Sequence, residues 1–446
     1  TGPDIYDPRF STISSIDLPE NLSRDEIIGA QINYRKPFAT AVPIAIKTGV
    51  RFRDQHREKD QTRHVYSYVG PNGVVGPVGA ANDDDLARFF DPGYTHGTFE
   101  YPKGLQYLKL PEFREALRSS PQLFREDFQT GTRDTIRLDS KASEAVTAAY
   151  IQGDVRFGRL NVLTGLRMED TQFSGRGYKQ ELTAAERARR ATITGTLSPE
   201  EIVRRNLAEY GNRTKADGEY RAYFPSLHLK YNAARNLVGR FSYSTGIGRP
   251  NFGQITPDMN INNDTRTITS NNPDLEPQHS KNLDVSFEYY FEPAGMFSVG
   301  AFQKKLTDFI FRANVGTVGP NSIFGEEYEG YLLTTDQNGG SATIRGLEVS
   351  YNQQFSNLGG LWRGFGVFAN LTWVRTEGDY GTPGARITGG RLPLFTPRTG
   401  NIGVSYIAHG WTVRVKVNNY VDRLNSYNAD PSRLVWDKGN TPVAFN

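Results

Sequence analysis

The 446-residue chain contains no cysteine. That one absence removes disulfides, thiolate metal sites and cysteine nucleophiles together. It suits export through an oxidising periplasm, where a stray thiol is a hazard, although many cytosolic chains share it. Long apolar runs are also missing. No segment reaches the roughly 18 to 20 uninterrupted apolar residues of a membrane-spanning helix; the nearest, Val42 to Val50, is broken by Pro43, Lys47 and Gly49. Charge of one sign is lacking too: 52 Lys and Arg against 49 Asp and Glu leave +3, which predicts no nucleic-acid partner. Catalytic signals are equally thin. His56, His64, His96, His228, His279 and His409 show no metal-ligand spacing. Thr245-Gly-Ile-Gly-Arg-Pro250 has a glycine pair but no helix is expected after it, so it is not a phosphate loop, and no Gly-x-Ser-x-Gly elbow occurs. The chain reads as a non-enzyme with no cofactor and no metal site.

Present in quantity are 23 Tyr, 26 Phe and 45 Gly, against 3 Met. Aromatics favour strands and membrane interfaces, and glycine favours turns. Mean hydropathy is −0.55, so any crossing of a membrane would be by strands, whose signal lies in alternation. That alternation is plain. Leu283, Val285, Phe287, Tyr289 and Phe291 interleave with Asp284, Ser286, Glu288 and Tyr290. Trp411, Val413, Val415 and Val417 interleave with Thr412, Arg414, Lys416 and Asn418. Ile44, Ile46, Val50 and Phe52 oppose Lys47, Gly49, Arg51 and Arg53, and the same holds in Ser226 to Tyr231 and in Leu347 to Asn352. A helix has no use for this period, because residues two apart lie on opposite sides of it.

About twelve strands are expected, near 27–38, 42–58, 143–156, 160–174, 221–232, 236–248, 280–291, 296–311, 341–354, 363–376, 398–407 and 411–423. Every second connection is short: Phe157 to Leu160, Ala233 to Asn236, Glu292 to Gly295, Ala408 to Gly410. The others, near 59–142, 175–220, 249–279, 312–340 and 377–397, are long. Strict short–long alternation places all tight turns at one end of a sheet and all long loops at the other, as in outer-membrane barrels. A soluble sheet with one wet face gives the same alternation of residues, but rarely tolerates repeated structureless loops of this length. Tyr289, Tyr290, Phe291, Phe297, Tyr406 and Trp411 flank the short turns, where an interfacial girdle would sit. The fold class expected is therefore all-β: a transmembrane antiparallel β-barrel with long extracellular loops.

The polar phase then faces a lumen. It carries Lys47, Arg51, Arg53, Asp154, Arg156, Arg167, Glu169, Lys230, Arg240, Glu288, Glu348, Arg414 and Lys416. Such a wall lines either a solvated channel or an internal plug; mixed signs suit the plug. Loop 59–142 holds Asp83-Asp-Asp85, then Phe89, Phe90, Tyr94, His96, Phe99, Tyr101 and Tyr107. Tyr94, His96, Tyr101 and Tyr107 are candidate substrate contacts, weighed against a loop that packs on its own aromatics. The Asp triplet lacks a spaced calcium loop and reads as solvated. In loop 175–220, Leu182 to Arg190 and Ser198 to Tyr210 predict two short helices, the second opened by Ser198 as cap and Pro199 at the first position.

Several runs resemble the barrel of TonB-dependent receptors. They are Tyr223-Phe-Pro-Ser-Leu-His-Leu-Lys230, Phe241-Ser-Tyr-Ser-Thr-Gly-Ile-Gly-Arg-Pro-Asn-Phe252, Asn272-Pro-Asp-Leu-Glu-Pro277, Gly295 to Ile310, Ile344-Arg-Gly-Leu-Glu-Val349 and Phe395-Thr-Pro-Arg398. Gly165-Leu-Arg-Met-Glu-Asp170 fits the preceding hairpin, and the likeness spans about 143–423. The resemblance implies a 22-stranded Gram-negative outer-membrane barrel surrounded by lipid, of which residues 1–446 are expected to be one part with about twelve strands. It implies partners: the barrel's own N-terminal plug, a TonB–ExbB–ExbD complex reached through a short N-terminal box, and a small-molecule nutrient. Thr1 to Phe10 shows no signal peptide, and the chain ends on a polar stretch. Plug, box and closing strands are accordingly expected to lie beyond both ends. The wording of Ser242 to Pro250 and Asn272 to Pro277 is similar to a carbohydrate-associated subgroup. Oligosaccharide uptake is therefore the first substrate expectation, with iron-siderophore or vitamin uptake and a passive porin as rivals.

Overall fold

In the computed structural model the described residues are 4, 6–10, 15–76, 83–96, 105–292, 294–320, 322, 324–380, 387–427, 434–439 and 443–445. All twelve expected strands are present. They are β1 (Ile16–Phe38), β2 (Ile44–Tyr68), β3 (Ser140–Phe157), β4 (Leu160–Tyr178), β5 (Arg213–Ala234), β6 (Leu237–Gly248), β7 (Gln278–Phe291), β8 (Gly295–Thr317), β9 (Leu332–Gln354), β10 (Phe365–Tyr380), β11 (Arg398–Ala408) and β12 (Trp411–Tyr420). They join one sheet, and from β5 onward each pairs antiparallel with its neighbour in chain order. The chain divides into two compact units: Thr1–Asp25, Arg57–Lys141 and Arg176–Thr214 form the first, and Glu26–His56, Ala142–Gly175 and Lys215–Asn446 the second.

In the second unit the register confirms the phase. Leu229 pairs with Phe241, Phe241 with Val285, Val285 with Ala301, Ala301 with Leu347, and Leu347 with Trp373. Farther along, Ala369 pairs with Ile402 and Ile402 with Val417. Directly opposed residues share a face, so one apolar face runs unbroken across eight strands. It is bare: Phe287 is 59% exposed and Ile402 58%, values that water would not tolerate over so continuous a surface. The sheet is the lipid-facing wall of a transmembrane β-barrel. The polar residues share the other face, where Lys230 opposes Arg240, Ser350 opposes Asn370, and Gly403 opposes Lys416.

The short turns have the expected chemistry. His409 and Gly410 take φ of 54° and 79°, the two left-handed residues of a tight hairpin whose twist matches its strands. Around these turns Tyr289 stacks on Phe291 at 5.9 Å, Phe291 on Tyr351 at 5.9 Å, and Phe365 meets Tyr406 edge-on at 4.9 Å. Trp362 and Trp411 lie beside the turns, 67% and 70% exposed. This is the aromatic girdle, contiguous rather than a scatter of residues.

At the other end the strands run past their expected limits. β8 and β9 stay paired out to Thr317 and Leu332, through register shifts at Leu306/Phe309 and Asn314/Gly316. Beyond lipid the ladder needs no apolar partner, so polar residues such as Thr334 to Asn338 extend it without a hydrophobic period. The chemistry of the faces also inverts there. Ala342, Ile344 and Leu392 are buried together against Phe302, Leu306 and Val374, residues of the polar phase. The long connections are not structureless. Met259–Asn262 pairs with Thr267–Ser270, and the latter lies parallel to Leu332–Thr335 over a core of Met259, Ile261, Ile268, Val318 and Tyr328. A single helical turn, Phe252–Ile255, follows Thr245 to Pro250 where none was expected.

Among the described residues the first unit holds four α-helices: α1 (Leu110–Ser119), α2 (Phe128–Leu138), α3 (Ala184–Ala191) and α4 (Pro199–Tyr210). The last two were expected, and Ser198 caps α4 by accepting from the Glu201 amide. Tyr68, Leu86, Phe89, Phe113 and Phe124 make an aromatic core, with Phe89 and Phe113 edge-on at 4.9 Å. Phe89 is thus a packing residue, as the self-packing reading holds. The solvated reading of the Asp triplet fails at its centre: Asp84 is buried and accepts from the Gly76 amide at 2.8 Å, while Asp83 binds Asn72 and Asp85 the Ala87 amide. The triplet pins a turn.

The phase assignment makes a sharp expectation. Val285→Arg or Val415→Arg places a cation in lipid at a cost of roughly 2–4 kcal/mol, whereas Ser286→Arg places it on the polar face. The first two should reduce the folded, heat-modifiable fraction in outer membranes severely and the third little. Equal yields from both faces would overturn the assignment.

Candidate functional site

The polar face of the second unit carries a linked series of ion pairs. Arg53 Nη2 donates to Glu144 Oε1 at 3.0 Å and to Gln55 Oε1 at 2.6 Å. Arg249, just beyond β6, lies 3.6 Å from the other Glu144 oxygen and donates to Glu169 Oε2 at 2.5 Å. Glu169 also accepts from Arg167 Nε at 2.7 Å. Three guanidinium groups thus alternate with two carboxylates. The carboxylates are shielded, at 10% and 14% side-chain exposure, so each needs its partners. The Nε atoms of Arg53 and Arg249 are buried with no hydrogen-bond acceptor. The Arg249 Nε is the atom that faces Glu144 across 3.6 Å, so both N–H groups are enclosed within the series and not open to solvent.

A second group lies on the same phase farther along the sheet. Arg240 donates to both oxygens of Glu288, at 2.9 and 3.2 Å, and the Tyr290 hydroxyl donates to Glu288 Oε2 at 2.8 Å. Lys230 is the cross-strand neighbour of Arg240. Arg414 stands 5.7 Å from the Phe368 ring centre, Lys416 opposes Gly403, and Glu348 lies between Gly300 and Thr372. Arg51 is exposed on β2. The predicted polar-face residues thus sort into two bonded groups, around Arg53, Arg167 and Glu169 and around Arg240 and Glu288, and a looser remainder. Glu144 and Arg249, which join the first group, were not among them.

The loop candidates fare differently. Tyr94 and His96 lie in a strand, Phe90–His96, that pairs with Leu105–Leu108; their side chains and the whole of Tyr101 fall outside the described residues. Tyr107 is 49% exposed. Among the described residues no group of three or more His, Asp or Glu is arranged to hold a metal ion.

The helices of the first unit are locked by charge. Glu186 on α3 accepts from Arg189 and Arg190, and Glu201 on α4 accepts from Arg189 and Arg205. The guanidinium of Arg189, then that of Arg190, push the Glu186 carboxyl down to about 2. Arg189, then Arg205, bring Glu201 down to about 2 as well. Nearby, burial pushes the Tyr210 hydroxyl up to about 12, and the Glu209 carboxylate adds to it. Asn206, almost wholly buried, ties α4 to α2: it accepts from Gln129 Nε2 at 2.9 Å and donates to the Gln129 carbonyl at 3.0 Å.

A bare apolar band on one face, bonded charges on the other, tight turns at one end and structured loops at the other define the wall of an outer-membrane transport barrel. The family described as TonB dependent receptor-like, beta-barrel matches residues 2–442, and the chain belongs to that family. Over 117 residues it is 31% identical to the iron-regulated outer membrane virulence protein of Vibrio cholerae, covering 25% of this chain and 18% of that one. Among solved structures it resembles the ferric citrate transporter FecA in its unliganded form (12% identity, TM-score 0.54, 96% of this chain and 47% of that one). It also resembles the siderophore receptor PirA from Acinetobacter baumannii (15% identity, TM-score 0.52, 95% and 48%). At such identities the likeness shows the fold. The chain spans about half the length of these solved relatives, and its place is the outer membrane.

Two outcomes follow for the charged groups. Glu169→Gln leaves Arg249 and Arg167 short of an anion and should lower stability by roughly 1–3 kcal/mol, the range for a charged hydrogen-bond partner, read as a drop in melting temperature of the folded receptor. For Glu186 and Glu201 the folded value lies below the ordinary one. Their contribution is therefore complete above about pH 4.5 and fades as pH falls towards about 2. Carboxyl titrations by NMR should place both midpoints near 2, and Arg189→Gln should raise them towards the ordinary value.

Proposed function

We propose that this chain is the wall and outer loops of an energised importer of a ferric chelate. The supporting observation is the sign of the polar face. Of its thirteen charged residues named from sequence, nine are cations and four are carboxylates; adding Arg249 and Lys304 against Glu144 and Asp284 leaves the same excess. A wall with positive excess concentrates anions. Many ferric siderophores are anionic, whereas an oligosaccharide gains nothing from the sign. The relatives lean the same way: one is named as iron-regulated, others as ferric citrate and siderophore receptors. Ferric-chelate uptake therefore replaces oligosaccharide as the preferred reading, and the carbohydrate-like wording of Ser242 to Pro250 is left as a likeness of strand and turn.

In this reading exposed Tyr107 is a first contact for the substrate, and Tyr94, His96 and Tyr101 are kept as candidates from the sequence. The polar face that carries the series of Arg53, Glu144, Arg249, Glu169 and Arg167 lines a lumen in this reading and meets the plug or the passing anion. Plug, TonB box and closing strands are supplied by sequence outside this stretch. Energy enters through the TonB–ExbB–ExbD complex, and the chain itself catalyses no reaction.

The test is uptake by the full-length receptor in a deletion background. Labelled ferric chelates should accumulate only when the gene is present, and a protonophore should abolish the accumulation. Uptake insensitive to the protonophore would indicate a passive pore. Lost growth on a glycan with intact iron uptake would restore the oligosaccharide.

A further inference from the structure

The sequence contains two Asn-Gly steps, Asn72-Gly73 and Asn338-Gly339, and the structure holds their amides in opposite ways. Asn72 stands at an exposed turn of the first unit, with Gly73 at φ 72° and open space where a Cβ would lie. Asn72 Oδ1 accepts from the Val74 amide at 2.7 Å. That bond folds the side chain back over its own backbone, as asparagine does in an Asx turn, and brings Cγ over the Gly73 nitrogen. The Gly73 amide is loosely engaged, donating to the Gly70 carbonyl at 3.3 Å.

The same residue fastens the turn. Asn72 Nδ2 donates to Asp83 Oδ1 at 2.6 Å, and the Asn72 amide donates to Asp83 Oδ2 at 2.8 Å. The Gly76 amide bonds the neighbouring Asp84 at 2.8 Å. An ionised carboxylate accepts and cannot donate, so the side-chain half of this clasp needs an amide at position 72. Asn338 is held otherwise. Its Oδ1 accepts from the Glu276 amide at 2.9 Å, and its Nδ2 donates to the Glu276 and Asp308 carbonyls at 2.8 and 2.9 Å. These bonds turn the Asn338 amide towards neighbouring segments and away from its own following peptide.

We propose that Asn72 is a self-modifying site that releases the turn it fastens. The Gly73 nitrogen attacks Asn72 Cγ and gives up its proton to water. The Cγ–Nδ2 bond breaks, and the nitrogen leaves as ammonia after taking a proton from water. Water then opens the cyclic imide at either carbonyl, giving aspartate or isoaspartate. Glycine after the asparagine leaves the attacking nitrogen uncrowded, because it carries no Cβ. No oxidant, metal or second protein takes part. The product sets a carboxylate against Asp83 where a donor stood, so a hydrogen bond is replaced by repulsion of like charges. The isoaspartyl form also lengthens the backbone by one methylene. Val69 to Gly76 then parts from Asp83 to Ala87. The change is irreversible and independent of the transported substrate, so it accumulates with the age of the receptor.

The test is peptide mapping by mass spectrometry of the purified full-length receptor, aged in mildly alkaline buffer, with an isoaspartyl methyltransferase to count isoaspartate. Synthetic peptides bearing each Asn-Gly step supply the intrinsic rates. Divided by the rate of its own peptide, conversion of Asn72 in the folded receptor should be at least tenfold faster than that of Asn338. Equal normalised rates, or a faster Asn338, overturn the assignment. Release of the turn is read by hydrogen exchange, which reports local opening. The amides of residue 72 and Gly76 should exchange at least fivefold faster in the aged receptor than in the fresh one. Asn72→Asp carries the carboxylate from the outset and should show the same gain without ageing. Should that variant fail to insert, the aged parent still decides. Conversion at Asn72 with unchanged exchange at both amides would sink the idea of a release.

Discussion

Everything in this wall depends on one constraint: inside hydrocarbon every backbone N–H and C=O must be paired within the sheet. Once the ladder is obligatory, its pleat dictates that side chains alternate between faces. A one-residue slip of β12 would turn Arg414 and Lys416 into lipid and Val413, Val415 and Val417 onto the polar face. The register is thus held twice, by the hydrogen bonds and by the price of exposing charge to lipid. The unbroken row from Leu229 to Trp373 is the visible result.

Where the hydrocarbon stops, the same ladder continues under different rules. β8 and β9 stay paired beyond it, yet the inner face gathers Phe302, Leu306, Ile344 and Val374 while the outer face turns basic. The rule being obeyed is still burial of apolar surface; only the location of water and lipid has changed. The loops use the same principle on a smaller scale, each closing its own cluster, as with Ile268 and Val318. In the first unit, charge assists: Glu186, Arg189 and Glu201 bond two short helices that have little apolar surface to join them.

The strands were legible because their signal is local and repeated, and the phase could be checked along each one. Their outer ends were not legible. Past the lipid the ladder no longer needs an apolar period, so Thr334 to Asn338 read as a loop. α4 was readable from Ser198 and Pro199; α1 was not, since its cap position, Lys109, offers no side-chain acceptor. Arg53 and Arg167 were found on the polar phase. Glu144 lay in a run of small residues with weak alternation, and Arg249 stood one residue beyond a strand, so the residues that tie the series together carried no periodic signal. Arg249 sat in a Gly-Arg-Pro run weighed as a phosphate loop and as a family likeness but not for its charge, and the signal that would have found it was that charge at a strand end.

Two glycines on the polar phase have a consequence for how this sequence can drift. A Cβ on Gly346 would fall 2.2 Å from the Phe302 ring, and one on Gly403 would fall 2.3 Å from the Phe368 ring. Each phenyl group lies across the bare backbone of the neighbouring strand. Neither partner can change alone: a side chain at the glycine collides, and a smaller residue at the phenylalanine uncovers the strand. Among homologues these positions should therefore exchange as pairs, leaving a covariation signal that ties β8 to β9 and β10 to β11 even where every other residue on that face has diverged.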